Sequence, residues 1–536
     1  MSAELLLQHF ERISEAPNAI GRLRRFILDL AVRGKLVAQD ANDEPAAELL
    51  KRIYARKATT KKVALKTERQ GLMFELPSGW CSASFGDVFS LEYGDSLPAE
   101  KRSNSGEFPV YGSNGVVGSH SECLVRSPCI VIGRKGSAGA LNLSLAEGCW
   151  VTDVAYYCVP PKEIDLLFAL KMFHTLRLEN LGKGVKPGLS RSDAYALPIA
   201  IPPIAEQRRI TAKVDELMGL CDQFAAAKAE REESRGRLVA ASLQRLNQPD
   251  DEKFLNEPVE FVLGNLARLT TRAEYIKQLR QTILNLAIRG KLVRQLKDEE
   301  PARLPKPRAV SAASGMDDRV FQQFRHSIAL PAGWQIAPLL QISEHIVDCP
   351  HSTPKWTEQG EICVRTNQLR PRRLDLSAPR FVSHETYRER IERLEPRAGD
   401  ILYSREGGIL GIASEIPQGV RLCLGQRLML IRPCSQIRSA YLDVVLNSPF
   451  ITGIAGALTI GGAAPRVNMS TVRAYPIPVP PLAEQERIVL KVDVLMALCD
   501  RLEEQLATRE NDSGHLLEAL LHEALMISAT AEEAVV

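Results

Sequence analysis

The chain has 536 residues, 45% of them hydrophobic and 25% charged, with a formal net charge of +3. Such a length is too great for one ordinary core at roughly 100 to 200 residues per domain, so several units are expected, and the composition excludes a disordered chain. The small net charge means that any surface for nucleic acid is a local patch and not a field around the whole molecule.

The start, MSAELLLQHFERI, has no basic region leading into an apolar run, so no secretory signal is expected. Leu23, Phe26, Ile27, Leu30 and Ala31 then recur at the spacing of one helix face, and Gly34 suits the left-handed residue that ends such a helix. Leu279, Ile283, Leu286, Ala287 and Gly290 repeat that arrangement, within LAVRGKLV and LAIRGKLV. The basic stretch Lys51 to Lys66 reads as a solvated helix face or a linker.

At LPSGW, residues 76–80, the texture changes to short apolar runs broken by glycine: FPVYGSNGVVG, CIVIGRKGSAGAL and WVTDVAYYCV. These predict strands and tight turns, followed by a helix over Ile164 to Leu178. Next comes PPIAEQRRITAKVDELMGLCD, Pro202 to Asp222, which recurs without a gap as PPLAEQERIVLKVDVLMALCD, Pro480 to Asp500. Pro203 and Pro481 fit a first helical position, and Glu206 and Glu484 fit the positive end of the helix dipole. Between these anchors LPAGW, residues 330–334, opens a second glycine-broken segment containing ICVRTNQL, GDILYSREGGILGIASEI and RLCLGQRLMLIRP, with a helix near Ala440 to Leu446. The offset between copies grows from 254 at LPxGW to 278 at PPxAEQ, so the second insert is 24 residues longer.

The chain is therefore a tandem duplication, and a repeated frame holds two divergent inserts. Val214, Leu217, Cys221 and Phe224, and then Val492, Leu495, Cys499 and Leu502, follow coiled-coil spacing. They predict two long helices, each about 60 Å if about 40 residues long, packed antiparallel with pseudo-two-fold symmetry. The fold class is α+β (mixed α/β). Two globular domains, 76–200 and 330–478, are expected between helical regions at 1–70, 201–300 and 479–536.

Catalytic constellations do not emerge. No G-x-x-x-x-G-K-[ST] loop occurs, and GRKGSAG, Gly133 to Gly139, lacks the Lys-Ser/Thr pair of a phosphate cradle, so it reads as a turn between strands. Asn447-Ser-Pro-Phe450 departs from the Asn-Pro-Pro-Tyr/Phe motif of adenine methyltransferases and follows no cofactor loop. Cys349-Pro-His351 offers two metal ligands without a second pair. The eleven cysteines include no C-x-x-C and read as reduced thiols of a cytoplasmic protein. Ser448 to Pro465 is uncharged but glycine-broken and short for a membrane span.

What remains is a set of polar and cationic residues in the glycine-rich turns. In the first insert these are Ser113, Asn114, Arg134, Lys135, Lys183, Lys186 and Arg191. In the second they are Ser352, Lys355, Arg365, Asn367, Gln368, Arg405, Arg427, Arg466 and Asn468. Arginine reads guanine and asparagine or glutamine reads adenine, whereas lysine mainly neutralises phosphate. From Arg365 to Arg405 ten arginines face six acidic residues, a local cationic excess.

Taken in order and twice over, the motifs AVRGKLV/AIRGKLV, LPSGW/LPAGW, YGSNGVVG, VIGRKGSAG, DCPHSTPKW, GDILYSREGG and IPPIAEQRRI/VPPLAEQERI give the chain a pattern that resembles the specificity subunit of Type I restriction-modification systems across essentially its whole length. The resemblance implies two target recognition domains that each read one half of a split double-stranded DNA sequence. The repeated helices would be spacer and docking surface for two modification subunits and for restriction subunits. It also implies that S-adenosylmethionine, ATP and magnesium belong to those partners and that this chain carries no cofactor. An active methyltransferase or nuclease, and a purely structural coiled-coil scaffold, stand as the alternatives.

Overall fold

The structure is a computed structural model that describes residues 16–60, 72, 74–103, 105–182, 188–247, 272–296, 298–306, 315–462 and 465–527. The chain is mixed α/β and divides into two compact units. One holds residues up to Arg231 together with those from Arg509 on; the other holds Glu232–Thr508.

The first copy opens with α1 (Ala19–Val32), whose buried residues include Phe26, Ile27 and Ala31 of the predicted face. Gly34 follows at φ 70°, and a Cβ there would sit 2.3 Å from Pro77 Cγ, so both backbone and space demand glycine. Helix α2 (Ala46–Thr60) holds the described part of the basic stretch, where Arg52 pairs with Glu44 and Arg56 with Glu163. Strand β1 (Cys81–Ser84) then enters the head, and α3 (Phe85–Val88) turns the chain inward. Strands β2 (Glu92–Tyr93), β3 (Phe108–Gly112), β4 (Gly115–His120), β5 (Cys129–Gly133), β6 (Leu141–Ser144), β7 (Trp150–Val151) and β8 (Ala155–Cys158) form two sheets, ordered β2-β8-β5-β6 and β4-β3-β7. Helix α4 (Leu166–Thr175) buries Phe168 and Phe173 in one core with Ile130, Ile132, Tyr156 and Cys158. After α5 (Arg191–Tyr195), β9 (Pro198–Ile201) pairs back on β1 and closes the head. The long helix α6 (Ile204–Asn247) follows.

The second copy begins at α7 (Ala273–Ile288), capped by Gly290 at φ 65° against Pro331. After α8 (Asp318–Phe324), β10 (Gln335–Pro338) opens the head and β21 (Pro476–Val479) closes it, in antiparallel pairing like β1 with β9. Between them β11 (Ser343–Asp348), β17 (Ile401–Ser404), β18 (Ala413–Glu415) and β20 (Leu428–Pro433) make a sheet ordered β11-β20-β17-β18. Strands β12 (Trp356–Thr357), β13 (Glu361–Val364), β16 (Phe381–Val382) and β19 (Leu422–Leu424) make another, ordered β12-β16-β13-β19, and β14 (Leu369–Arg370) pairs with β15 (Arg373–Leu374). Helices α9 (His384–Ile391), α10 (Ser439–Leu446), α11 (Pro449–Ala457) and α12 (Met469–Arg473) complete the head, and the long α13 (Leu482–Ile527) follows it. Both heads share one wiring. The order β2-β8-β5-β6 matches β11-β20-β17-β18, and the parallel pair β3·β7 matches β13·β19. The β14–β15 hairpin and α9 have no counterpart between β3 and β5 and lie in the longer insert.

The repeated motifs form the joint between head and long helix. Trp80 Nε1 donates to Glu206 Oε2 at 3.0 Å, and Trp334 Nε1 to Glu484 Oε2 at the same distance. Burial raises both carboxyl pKa values, and the indole bonds partly offset it. The next residue clamps the head: Gln207 accepts from Asp165 N at the start of α4 and donates to Pro202 O, while Gln485 accepts from Arg438 N and donates to Pro480 O. Pro203 and Pro481 stand one residue ahead of the helices, and their carbonyls accept the first helical N–H groups, from Gln207 and Gln485. Glu206 and Glu484 lie in the first turns of their helices, as the dipole argument expects, and each also bonds a distant tryptophan.

Val214 and Cys221 are buried with Ile27 and Ala31 of α1, Leu217 packs against that cluster, and Phe224 is half-buried. Val492, Leu495, Cys499 and Leu502 are buried in a cluster with Ile276, Leu279 and Ile283 of α7 and with Val239 and Leu243 from the end of α6. In the first unit, Ala16 and Ala19 pack on Leu517 and Leu520 from the end of α13. Among the described residues, no helix is long and apolar enough to cross a membrane; the short α11 takes up only Pro449–Ala457 of the uncharged Ser448–Pro465 stretch.

Candidate nucleic-acid interface

Three turns converge at one end of each head: those after β3, β5 and β7 in the first, and those after β13, β17 and β19 in the second. Backbone hydrogen bonds fix the correspondence. Arg134 N donates to Val154 O and Leu189 N to Arg134 O; Arg405 N donates to Arg427 O and Val467 N to Arg405 O. Lys135 bridges Gly188 as Glu406 bridges Arg466. Arg134 and Arg405 are therefore equivalent, as are Val154 and Arg427. In β2, Tyr93 lies opposite Tyr156; in β11, Asp348 lies opposite Met429, so Tyr93 and Asp348 also correspond.

In the first head the Arg134 guanidinium stands over the Tyr93 ring at 4.7 Å and near Tyr156 at 5.8 Å, and its Nη1 donates to Asp153 O at 2.9 Å. Arg191 covers the same Tyr93 ring at 4.3 Å. Tyr93 is 46% exposed, so this arginine–aromatic stack stands at the surface. Asn114 and Lys135 are exposed beside it, and Ser113 is half-buried. Gly133 lets the two turns meet: a Cβ there would fall 2.5 Å from Ser113 O and 2.0 Å from Ser137 O. Lys183 and Lys186 lie outside the described residues.

In the second head Arg405 is only 7% exposed. Its Nε and Nη2 donate to Asp348 Oδ1 and Oδ2 at 3.0 and 2.6 Å, while Nη1 meets Glu406 at 2.9 Å and Val467 O at 3.4 Å. The fork of Arg405, expected to read bases, is engaged inside the head. Gln368 is also engaged inside the head. It is buried, and its Oε1 accepts from Arg365 N at 2.9 Å in a local cap. Ser352, Lys355, Arg365, Asn367, Arg427, Arg466 and Asn468 are all exposed. Arg427 adopts φ 70° and its side chain runs along Gly407, where a Cβ would stand 3.2 Å from Nη1. Arg365 and Arg380 approach Trp356 at 5.8 and 5.2 Å.

Sequence reasoning missed Tyr93, Trp356 and Arg380. Tyr93 sits in a two-residue strand and meets Arg134 only through strand pairing, so no local pattern marked it. Asn447 proves to be a helix–helix joint: it ends α10, clamps Ala413 through Oδ1 and Nδ2, and hands over to Ser448, which caps α11. Cys349 is buried and His351 pairs with Asp348. Among the described residues, no group of three or more His, Cys, Asp or Glu could hold a metal ion.

Two surface clusters rich in arginine and amide side chains, carried by loops on a duplicated frame, define a chain built to read nucleic acid. Over residues 77–230 and 369–509 the chain matches the family of the Type I restriction modification DNA specificity domain, and it belongs to that family. It is the non-catalytic, sequence-specific DNA recognition subunit of a Type I restriction-modification system. The chain is 25% identical to the Type I restriction enzyme EcoEI specificity subunit of Escherichia coli over 569 aligned positions, and 25% identical to the EcoAI specificity subunit over 562, with 94% of each chain covered in both cases. The crystal structure of the HsdS subunit from Thermoanaerobacter tengcongensis aligns at 19% identity and a TM-score of 0.41, covering 84% of this chain and 98% of that one.

Proposed function

We propose that the heads, residues 76–200 and 330–478, each read one half of an asymmetric bipartite DNA target, and that α6 and α13 run antiparallel as spacer struts in a pseudo-two-fold frame. The observation that carries this reading is the matched placement of the candidate residues at the convergent turns of two heads with the same wiring. The frame contributes a second support. Arg24 on α1 pairs with Asp222 of α6 and Arg22 with Glu518 of α13, while Arg280 on α7 pairs with Asp500 and Glu503 of α13. Each unit thus combines the start of one long helix with the end of the other, which is the order that antiparallel struts require.

A duplicated frame offers equivalent docking surfaces to two modification subunits, one per half-site, with restriction subunits joining that assembly in the cytoplasm. S-adenosylmethionine, ATP and magnesium belong to those partners. The target adenine has to leave the stack to reach a partner's pocket, so this chain supplies register and position, not bond-making groups. Half-site separation then depends on the struts, since one turn of DNA displaces a head's contacts by about 34 Å.

The test is co-expression with the cognate modification subunit, followed by methylation mapping at single-molecule resolution. A gapped adenine-methylated motif is expected; methylation by this chain alone would sink the reading. Leu217→Asp and Leu495→Asp should abolish assembly, read by size-exclusion chromatography, without changing which bases either head prefers. A changed motif in an intact complex would contradict the strut role.

A further inference from the structure

We infer that the two heads read bases with arginines at non-equivalent positions: Arg134 in the first, Arg427 in the second, while Arg405, the counterpart of Arg134, is held in a buried ion pair and reads none. This rests on the recognition function above and assigns the groups that carry it.

The argument starts from what a partner does to a guanidinium. An aromatic face engages the flat side of the cation and leaves its N–H edge in the plane available for acceptors. A carboxylate takes the edge itself. Tyr93 holds Arg134 in the first way, at 4.7 Å, and Arg191 caps the same ring at 4.3 Å. Asp348 holds Arg405 in the second way through two bonds, and Glu406 and Val467 take the remaining Nη1. Guanine recognition needs two parallel N–H groups facing O6 and N7. Arg134 can present them; Arg405 cannot without breaking a buried ion pair.

The second head replaces what it withdrew. The carbonyl that receives Arg134 N belongs to Val154, and the carbonyl that receives Arg405 N belongs to Arg427. An exposed guanidinium therefore stands on the turn directly against the buried one. Its backbone is left-handed at φ 70°, a conformation in which a non-glycine residue is strained and which is found preferentially where a side chain must be aimed. Gly407 leaves the space along which the Arg427 side chain runs. On the other side, the chain before Arg427 passes beside Arg365: a Cβ on Gly425 would lie 3.5 Å from Arg365 Cγ, an ordinary contact distance. Arg427 and Arg365 thus share one convergent surface, as Arg134 and Asn114 do in the first head.

The experiment uses the full chain assembled with its modification subunits and a DNA library with both half-sites randomised, read by methylation. Arg427→Gly relieves the left-handed strain, so loss of folding is not its expected effect. It should lower base discrimination at one position of one half-site by on the order of 10- to 100-fold, the range of a good bidentate contact, and leave the other half unchanged. Arg134→Met should do the same in the opposite half. The double variant Asp348→Leu/Arg405→Met should keep both base preferences. Tyr93→Asp, which places a carboxylate where the second head has one, should silence Arg134 and erode the first half-site alone. Uniform weakening across all sequences by Arg427→Gly would mark a phosphate contact and overturn the assignment, as would a changed base preference in the Asp348→Leu/Arg405→Met complex or an unaffected first half-site in Tyr93→Asp. If the unaltered complex showed no bipartite preference, the recognition geometry itself, not the choice of arginine, would be at fault.

Discussion

Trp80 and Trp334 meet Glu206 and Glu484 at the same 3.0 Å, whereas Arg134 and Arg405, in equivalent places after β5 and β17, meet a tyrosine ring in one head and a carboxylate in the other. The joint between head and long helix keeps one geometry, its hydrogen bonds duplicated with the fold. The convergent turns differ in their side-chain partners. Their backbone bonds are nevertheless the same, so the heads diverge by exchanging side chains on a fixed set of turns. The strut carboxylates show the intermediate case. Asp215 takes Lys171 from α4 at 2.5 Å, while Asp493, at the same repeat position, takes Arg372 from the β14–β15 turn at 2.7 Å.

The largest effect that breaks the comparison is expected at Asp348. Asp348→Leu leaves Arg405 buried with Glu406 as its remaining carboxylate partner, and breaking a buried pair costs up to about 3 to 5 kcal/mol. Denaturant unfolding of the full chain, followed by tryptophan fluorescence, should show a loss of that size, and adding Arg405→Met should recover much of it. Equal stability of Asp348→Leu and the unaltered chain would mean that the pair is solvated. A second asymmetry lies in α10. Asp443 is fully buried beside Arg372, Glu415, Asn447 and Asp493, and burial pushes its pKa up to about 8, against the attraction of Arg372. The native state holds that proton from the ordinary carboxylate range of ~4 up to about 8, while the unfolded chain has released it. Stability therefore falls as pH rises through this window and levels off above it. On the order of 2 to 3 kcal/mol is expected once the cluster relaxes, and Asp443→Asn should flatten the profile. A slope that survives Asp443→Asn would move its source to another group.

The frame was legible in the sequence because duplication wrote it twice. Gly34 and Gly290, LPxGW, PPxAEQ and the spacing of Val214, Cys221, Val492 and Cys499 are each local patterns, and helix caps and apolar stripes depend on near neighbours. Strand-and-turn texture in the heads was legible for the same reason. The site was legible only as a set of loops. GRKGSAG and SREGGILG look interchangeable, but the residues that decide the fate of Arg134 and Arg405 are Tyr93 and Asp348, which reach them through sheet pairing across distant sequence. The surroundings of Gln368 were not legible, because an amide suited to adenine is equally suited to capping a backbone N–H, and its burial and bond to Arg365 N emerge only in the fold.

Two smaller predictions sharpen the contrast. Trp80→Phe and Trp334→Phe each leave a buried carboxyl oxygen without its indole donor, at a cost of about 1 to 3 kcal/mol. If the joint is duplicated in energy as in geometry, thermal unfolding should show the two losses equal within about 0.5 kcal/mol; a wide gap would mean that the joints bear unequal load. The smallest stability effect is expected for Arg134→Met. Its guanidinium rests on a ring that is 46% exposed and spends a single bond on the Asp153 carbonyl, and a surface cation–π contact contributes about 0.5 to 1 kcal/mol. Methionine also keeps the apolar stem on Tyr93, which lowers the loss further. A variant that unfolds like the unaltered chain yet loses discrimination in one half-site would separate binding from folding at this residue. A loss of several kcal/mol would instead make Arg134 a structural cation like Arg405, and the difference between the two heads would disappear.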